Sequence, residues 1–275
     1  MEEAFSWSKE HEEELKKAIG MYDTKDAVKN PRILLLGPIG AGKSSFINSV
    51  AIIDKGRLAR VAMVGDEDRS VTTKLKIYRP QQILKNFRIL DTMGIEDEEG
   101  FNIEDIGDLI AGKLKSEYKF NTRSTGDGAD YKEDVRQKDK VHCIVVVVDA
   151  NNVGKKDISD KTQEKINLLK QKLKTHDIPV IILLTKIDIL CEAVAEDITN
   201  TFKSEDVKLA VKTAHEIFQV PEMYIHPIQN YAKEARTETN MNILLLLALR
   251  QMMYYAKDYL NELNKEASSD EEESN

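Results

Sequence analysis

Eight consecutive residues, Gly37-Pro38-Ile39-Gly40-Ala41-Gly42-Lys43-Ser44, have the spacing G-x-x-x-x-G-K-[ST]. Glycines at those places let the main chain curl until successive N–H groups converge on one point, at the positive end of the helix that follows. Such a cradle binds phosphate oxygens, here through Gly40, Ala41, Gly42, Lys43, Ser44 and Ser45. Lys43 is placed to reach β- and γ-phosphates, and Ser44 to set its hydroxyl on Mg²⁺. Farther along, Asp91-Thr92-Met93-Gly94 closes the apolar run NFRIL as D-x-x-G. A carboxylate at a strand tip holds the cation directly or through water, and the amide of Gly94 meets a γ-phosphate. Thr72 and Thr73, in SVTT, are candidates for a threonine on Mg²⁺ and γ-phosphate, with Thr72 preferred. Asp149 also ends an apolar strand and competes with Asp91, but it reads better as a strand-end residue without metal contact.

The purine is addressed by Thr185-Lys186-Ile187-Asp188, a variant of N/T-K-x-D directly after VIILL. Asp188 can accept hydrogen bonds from the ring N1–H and the 2-amino group of guanine, each charge-assisted and contributing about 1.5–3 kcal/mol. Adenine has a lone pair at N1 and no 2-amino group, so it loses both donors and meets repulsion. Lys186 would lay its stem along the base. Asn230 and Tyr231, in IQNYAK, occupy the loop whose backbone amides approach that base. The expected ligands are therefore GTP or GDP with Mg²⁺, and Asp188 argues against an ATP-using enzyme. The residue after D-x-x-G is Ile95, where small GTPases carry a Gln that orients the attacking water. No catalytic residue is assigned, and hydrolysis is expected to be slow unless a partner or a second copy completes the site.

These residues need a scaffold of alternating strands and helices. Strands are predicted at Arg32–Leu36, Lys74–Tyr78, Phe87–Leu90, Val141–Val148, Val180–Leu184 and Met223–Ile228. VHCIVVVV and VIILL are nearly continuous apolar runs, as parallel strands covered on both faces require. RPQQILKN is too short for a crossover helix, so the second and third strands form an antiparallel hairpin. The helix from Lys43 puts Phe46, Ile47, Val50 and Ile53 on one face. Further helices are predicted around Ile103–Lys115, Asp160–Lys174, a long stretch within 192–219, and Asn240–Leu260. The fold class is α/β, a P-loop NTPase of GTPase-like kind. Its six-stranded sheet is mostly parallel with one antiparallel strand and has helices on both faces. Loops 55–73 and 91–102 are expected to order around γ-phosphate and Mg²⁺. The polar segment 116–140, containing TGDGAD, is long for a structureless loop and reads as a functional loop or an insertion.

The chain of 275 residues divides into a charged helical extension at 1–29, the nucleotide-type domain at 30–263, and a disordered acidic tail at 264–275. In the extension, Glu12–Lys16 and Glu13–Lys17 have i,i+4 spacing, and Leu15, Ala18 and Ile19 form a narrow apolar stripe. The net charge is −8, and five acids fall in the last ten residues, so the body is only weakly acidic and has no broad nucleic-acid-binding surface. Two cysteines make neither a disulfide framework nor a zinc site and suit a reducing compartment. The acidic start MEEAFSWSKEHEEE lacks a secretory pattern, and the seven-residue run Ile243–Leu249 is far short of the roughly 20 residues of a membrane span. A cytoplasmic location is expected.

The run RILLLGPIGAGKSSFINSV at Arg32–Val50, with DTMG, EYKF, VHCIVVVVDA, LLTKID, QNY and LLALRQM, resembles the interferon-induced protein 44 family over about residues 30–262. The resemblance implies a P-loop GTPase-type domain, a cytoplasmic location and a role in the antiviral interferon response. Family members often carry a degraded fourth motif, whereas Thr185-Lys186-Ile187-Asp188 is intact here. The functional expectation is a guanine-nucleotide switch with slow or partner-dependent GTP hydrolysis, acting through an unidentified protein partner or self-association. Its alternative is an interaction scaffold on the same fold with no required turnover.

Overall fold

The computed structural model describes residues 6–21, 28–63, 72–95, 105–120, 130–154 and 160–273. Six strands form one sheet: β1 (Arg32–Leu36), β2 (Lys76–Tyr78), β3 (Arg88–Asp91), β4 (Cys143–Asp149), β5 (Val180–Thr185) and β6 (Ile225–Pro227). Their order across the sheet is β2-β3-β1-β4-β5-β6. All pairings are parallel except β2 with β3, which forms the expected antiparallel hairpin with Tyr78 opposite Ile89.

Strand side chains alternate between two cores. Leu34, Leu36, Leu90, Ile144, Val146, Ile182 and Leu184 face one side, which is covered by α3 (Asp105–Ile110), α4 (Ala150–Gly154), α5 (Asp160–Lys174) and α8 (Glu205–Phe218). Ile33, Leu35, Ile89, Val145, Val147, Ile181 and Leu183 face the other, under α1 (Lys9–Gly20), α2 (Lys43–Lys55) and α9 (Thr239–Glu273). This two-sided burial is why β1, β4 and β5 read as unbroken apolar runs. Phe46, Ile47, Val50 and Ile53 all lie in the second core, as their spacing predicts.

Several elements differ from the sequence reading. The stretch within 192–219 is not one helix. It divides into α7 (Glu192–Glu196), a 3₁₀ turn and α8, preceded by the short α6 (Ile187–Leu190). Two side-chain caps break it: Asp197 accepts from the Thr199 N–H, and Ser204 accepts from the Val207 N–H to begin α8. The helix predicted at Ile103–Lys115 ends at Ile110, because Gly112 turns the chain with φ +76°. The last strand starts at Ile225, not Met223, since Glu222–Tyr224 is a 3₁₀ turn. Helix α9 continues to Glu273, through most of the stretch read as a disordered tail.

In the N-terminal extension, α1 packs on α9 through Leu15 and Ile19, while Ala18 points to solvent. Glu12 is paired with Lys16 at 2.6 Å, and Glu13 pairs with Lys9 and Lys16. Residues 117–120 lie along the outer edge of the sheet beside 73–75: Phe120 N–H donates to Thr73 O, Leu75 N–H to Tyr118 O and Glu117 N–H to Leu75 O. The middle parts of the loops expected to order around a nucleotide (64–71 and 96–104) and the stretch 121–129 lie outside the described residues.

Candidate functional site

The parallel strands present their C-terminal ends to one edge of the sheet, and the singled-out residues gather there. β1 ends at Leu36, the loop turns, and α2 starts at Lys43 with Gly42 just before it at φ +99°. A Cβ at Gly42 would lie 3.0 Å from Asn230 Nδ2 and 3.3 Å from Thr185 Cγ2, so glycine is required by both conformation and crowding. Lys43 is buried, and its ammonium donates to the carbonyls of Gly37 (2.7 Å) and Pro38 (2.8 Å). These bonds tie the cation to the inner wall of the loop, at the N-terminus of α2, where an anion is favoured. Gly40 stands at the exposed crest, with Ala41 buried beneath it.

Ser44, Thr72 and Asp91 come from three separate segments and converge. Ser44 Oγ donates to Asp91 Oδ2 at 3.0 Å and lies 3.4 Å from Thr72 Oγ1. Asp91 is 2% exposed, and its other oxygen, Oδ1, is buried without a hydrogen-bond partner. Burial pushes this carboxyl above the ordinary carboxylate range, opposed by Lys43, Ser44, Lys76 and Thr72. An orphaned, dehydrated carboxylate oxygen beside two hydroxyls is a hard, all-oxygen donor set of the kind Mg²⁺ takes, with phosphate and water completing the shell. Among the described residues, no group of three His, Cys, Asp or Glu side chains offers another metal site. Thr73 is exposed, and its carbonyl is used by the sheet edge.

Gly94 touches the phosphate loop. A Cβ there would lie 2.4 Å from Ile39 Cγ1, and the next residue, Ile95, donates its N–H to Gly37 O at 3.1 Å. Ile95 itself is 8% exposed and has no side-chain polar atom with which to hold a water.

On the base side, Thr185 is fully buried and donates to Ala41 O at 2.6 Å, so its side chain braces the phosphate loop. Lys186 adopts a left-handed conformation, φ +60°, and its ammonium lies 2.9 Å from Asp149 Oδ2. Asp149 Oδ1 in turn accepts from the N–H and Nδ2 of Asn151. Asp149 is thus engaged with Lys186 and Asn151. Asp188 is half-buried. Burial raises its pKa, while its own N–H, that of Ile189 and the nearby Lys233 oppose the rise. It lies in the first turn of α6, an acceptor near the Thr185–Lys186 end of β5.

Asn230 and Tyr231 act as struts. Asn230 Nδ2 donates to Gly42 O at 3.3 Å and its Oδ1 accepts from Ser49 Oγ, while the Tyr231 N–H donates to that same Ser49 oxygen. The Tyr231 ring is buried, and its hydroxyl donates to Asn242 Oδ1 at 2.9 Å. What this loop can offer a base is main chain rather than the phenol. Sequence reasoning missed Asn48 and Ser49, polar residues buried on the core side of α2. Asn48 Oδ1 accepts from the N–H groups of Val61 and Ala62, both at 2.8 Å, anchoring the chain that leads toward Thr72. A buried Asn inside an apolar helix face was the available signal.

Residues 32–186 match the family described as 50S ribosome-binding GTPase. Among curated proteins, the chain is 32% identical to human interferon-induced protein 44-like over 86% of its own length and 54% of that protein's. It is 30% identical to mouse interferon-induced protein 44, over 86% and 57%. It thus spans about half the length of these relatives. In structure it is similar to Toc33 from Arabidopsis thaliana in complex with Mg²⁺ and GMPPNP (15% identity, 92% of this chain and 97% of that one, TM-score 0.53). The GDP and Mg²⁺ complex of Toc33 gives a TM-score of 0.51 at 14% identity and the same coverage. At these identities the structural likeness shows the fold, which is that of P-loop GTPases. With the family match covering more than half of its residues, the chain belongs to the GTPase-domain family, and it is similar to the interferon-induced 44 and 44-like proteins.

Proposed function

We propose that this chain binds GTP and GDP with Mg²⁺ and acts as a nucleotide-dependent switch whose hydrolysis is slow or depends on a partner. The observation that carries this is the meeting of Ser44, Thr72 and the orphaned Asp91 oxygen beside Lys43, at the start of α2. Gly40 to Ser45 and Gly94 would take the phosphates. Ser44, Thr72 and Asp91 would hold the cation, which would neutralise phosphate charge. Asp188 would read guanine, with Lys186 along the ring and the backbone of Asn230 and Tyr231 closing the pocket. Ile95 supports slow turnover, because an aliphatic side chain cannot orient water. Similarity to proteins named interferon-induced supports a part in the interferon response, and the same proposal sets that part in antiviral defence in the cytoplasm.

Thermal shift with each nucleotide, with and without Mg²⁺, is the test. Ligand at 100 times its dissociation constant stabilises by about 2.7 kcal/mol. A Mg²⁺-dependent shift with GTP and GDP but not ATP is expected. No shift with any nucleotide would overturn this reading in favour of a scaffold. Single-turnover hydrolysis over a range of protein concentration should be slow, or should rise with concentration if copies complete each other's sites.

A further inference from the structure

At the opposite edge of the sheet, strand register sets three arginines side by side. Parallel pairing places Arg32 next to Arg88. In the hairpin, Tyr78 lies opposite Ile89, so the following residue, Arg79, comes opposite Arg88. Leu34, Leu90 and Ile77, each two positions away, all face the same core, so the three guanidiniums share that face. This edge holds the N-terminal ends of β1 and β3, whereas the phosphate loop follows the C-terminal end of β1.

Like charges in neighbouring cross-strand positions are destabilising. Arg32 is compensated by Asp139 at 2.9 Å, but Lys132 shares the same carboxylate oxygen at 2.7 Å. Among the described residues, the Arg88 side chain donates to the carbonyls of Phe87 (2.7 Å) and Lys85 (3.3 Å), and that of Arg79 to the carbonyl of Ile77 (3.4 Å). Among the described residues neither meets a carboxylate. The repulsion registers in Arg88, whose pKa is lowered by burial and then by Arg79 and Arg32. Residues 74–88 carry five Lys and Arg and no acid, in a chain of formal charge −8.

A ligand for this place must bring more than one negative charge. A carboxylate offers one charge and two coplanar oxygens, which a single guanidinium satisfies. A phosphate ester offers up to two charges on several oxygens and suits guanidiniums converging from strands about 4.8 Å apart. The acidic remainder of the molecule disfavours an extended polyanion and favours a compact one.

We propose that Arg32, Arg79 and Arg88 form a second anion site, remote from the phosphate loop, that takes a compact phosphate ester, either free or as a lipid headgroup. A phosphorylated inositol is the probe that tests both sources. Excess GDP and Mg²⁺ are included to fill the phosphate loop. The full chain is titrated with inositol trisphosphate by calorimetry. It is also co-sedimented with phosphatidylcholine vesicles containing phosphatidylinositol bisphosphate, or phosphatidylserine of matched charge. Binding of the soluble headgroup, or of the bisphosphate vesicles in preference to phosphatidylserine, is expected, and it should weaken with salt. Arg79→Gln and Arg88→Gln should each lower affinity at least about tenfold, the scale of one charge-assisted contact. Without ligand, Arg79→Gln should melt at the same temperature as the parent or higher, because it relieves repulsion; a purely structural arginine would lower it. No binding by the parent to either probe, equal binding to both anionic vesicles without binding of the soluble headgroup, or undiminished binding by Arg79→Gln would overturn the proposal.

Discussion

Glu12 is fully buried between α1 and α9, and its carboxylate accepts from Lys9 (2.7 Å), Lys16 (2.6 Å) and Asn242 Nδ2 (2.8 Å). Burial alone would raise its pKa, yet hydrogen bonds from Lys16, Lys9 and Asn242 outweigh that and hold it below the usual carboxylate range. Because a carboxylate only accepts, it fixes the Asn242 amide, whose oxygen then receives the Tyr231 hydroxyl at 2.9 Å. Glu12→Ala strips Lys16, whose side chain is 9% exposed, of its shortest partner and leaves a buried amide N–H unsatisfied. Breaking a buried pair costs about 3–5 kcal/mol, and an orphaned donor about 1–3. Lys16 retains Glu13 at 3.1 Å, and Lys9 is mostly exposed, so the lower end applies: a loss of about 3 kcal/mol. Urea unfolding followed by circular dichroism and by fluorescence of Trp7, the sole tryptophan, would measure it. Trp7 stacks on Phe202 just ahead of α1 and reports its docking. Glu12→Leu/Lys16→Met/Asn242→Leu should recover most of the loss, since apolar replacement of a buried pair is often neutral or better. A loss under about 1 kcal/mol for Glu12→Ala, with both probes coincident, would refute the reasoning.

At the nucleotide site, Asp188→Ala should abolish discrimination between GDP and ADP in thermal shift while leaving the unliganded melt nearly unchanged. Asp91→Asn should leave the unliganded fold as stable or more so, because a costly buried carboxyl is gone, yet remove the Mg²⁺ dependence of nucleotide binding; isothermal titration with and without the ion checks both. Asn48→Ala frees the N–H groups of Val61 and Ala62 and should cost about 1–3 kcal/mol, with faster amide exchange at those two residues. His142 accepts from the Arg32 N–H, and burial, reinforced by Arg32 and Lys140, lowers its pKa to about 4. The unfolded chain takes up that proton near pH 6.5, so the stability it contributes is complete above that value and drains away as pH falls toward 4. The full loss is about 3 kcal/mol, to which the similarly shifted His226 adds in the same direction. Urea midpoints across that window should flatten in His142→Gln.

The sheet was legible because β-branched and leucine runs have one physical explanation when both faces are covered. The phosphate loop was legible because its glycine spacing is dictated by main-chain geometry. Ser44, Thr72 and Asp91 could be assigned to one cation from their motifs, but the contacts that hold them, such as the Ser44–Asp91 bond and the Asn48 anchor on Val61 and Ala62, join segments distant in sequence that no local pattern encodes. The partnerships of Asp149 with Lys186 and of Tyr231 with Asn242 join residues distant in sequence and were invisible for the same reason. The break between α7 and α8 was missed because helical periodicity continues through Asp197 and Ser204, whereas their side-chain caps compete with the helix only locally.

Each margin of the sheet carries a feature that hinders the recruitment of foreign strands. At one margin, the segment 117–120 occupies main-chain groups of Thr73 and Leu75, so a passing β-hairpin finds few vacant donors or acceptors there. At the other, β6 is three residues long and ends in Pro227, which has no amide hydrogen to offer. These features disfavour strand addition at 73–75 and at the end of β6, which makes loops and helix surfaces the freer routes to self-association.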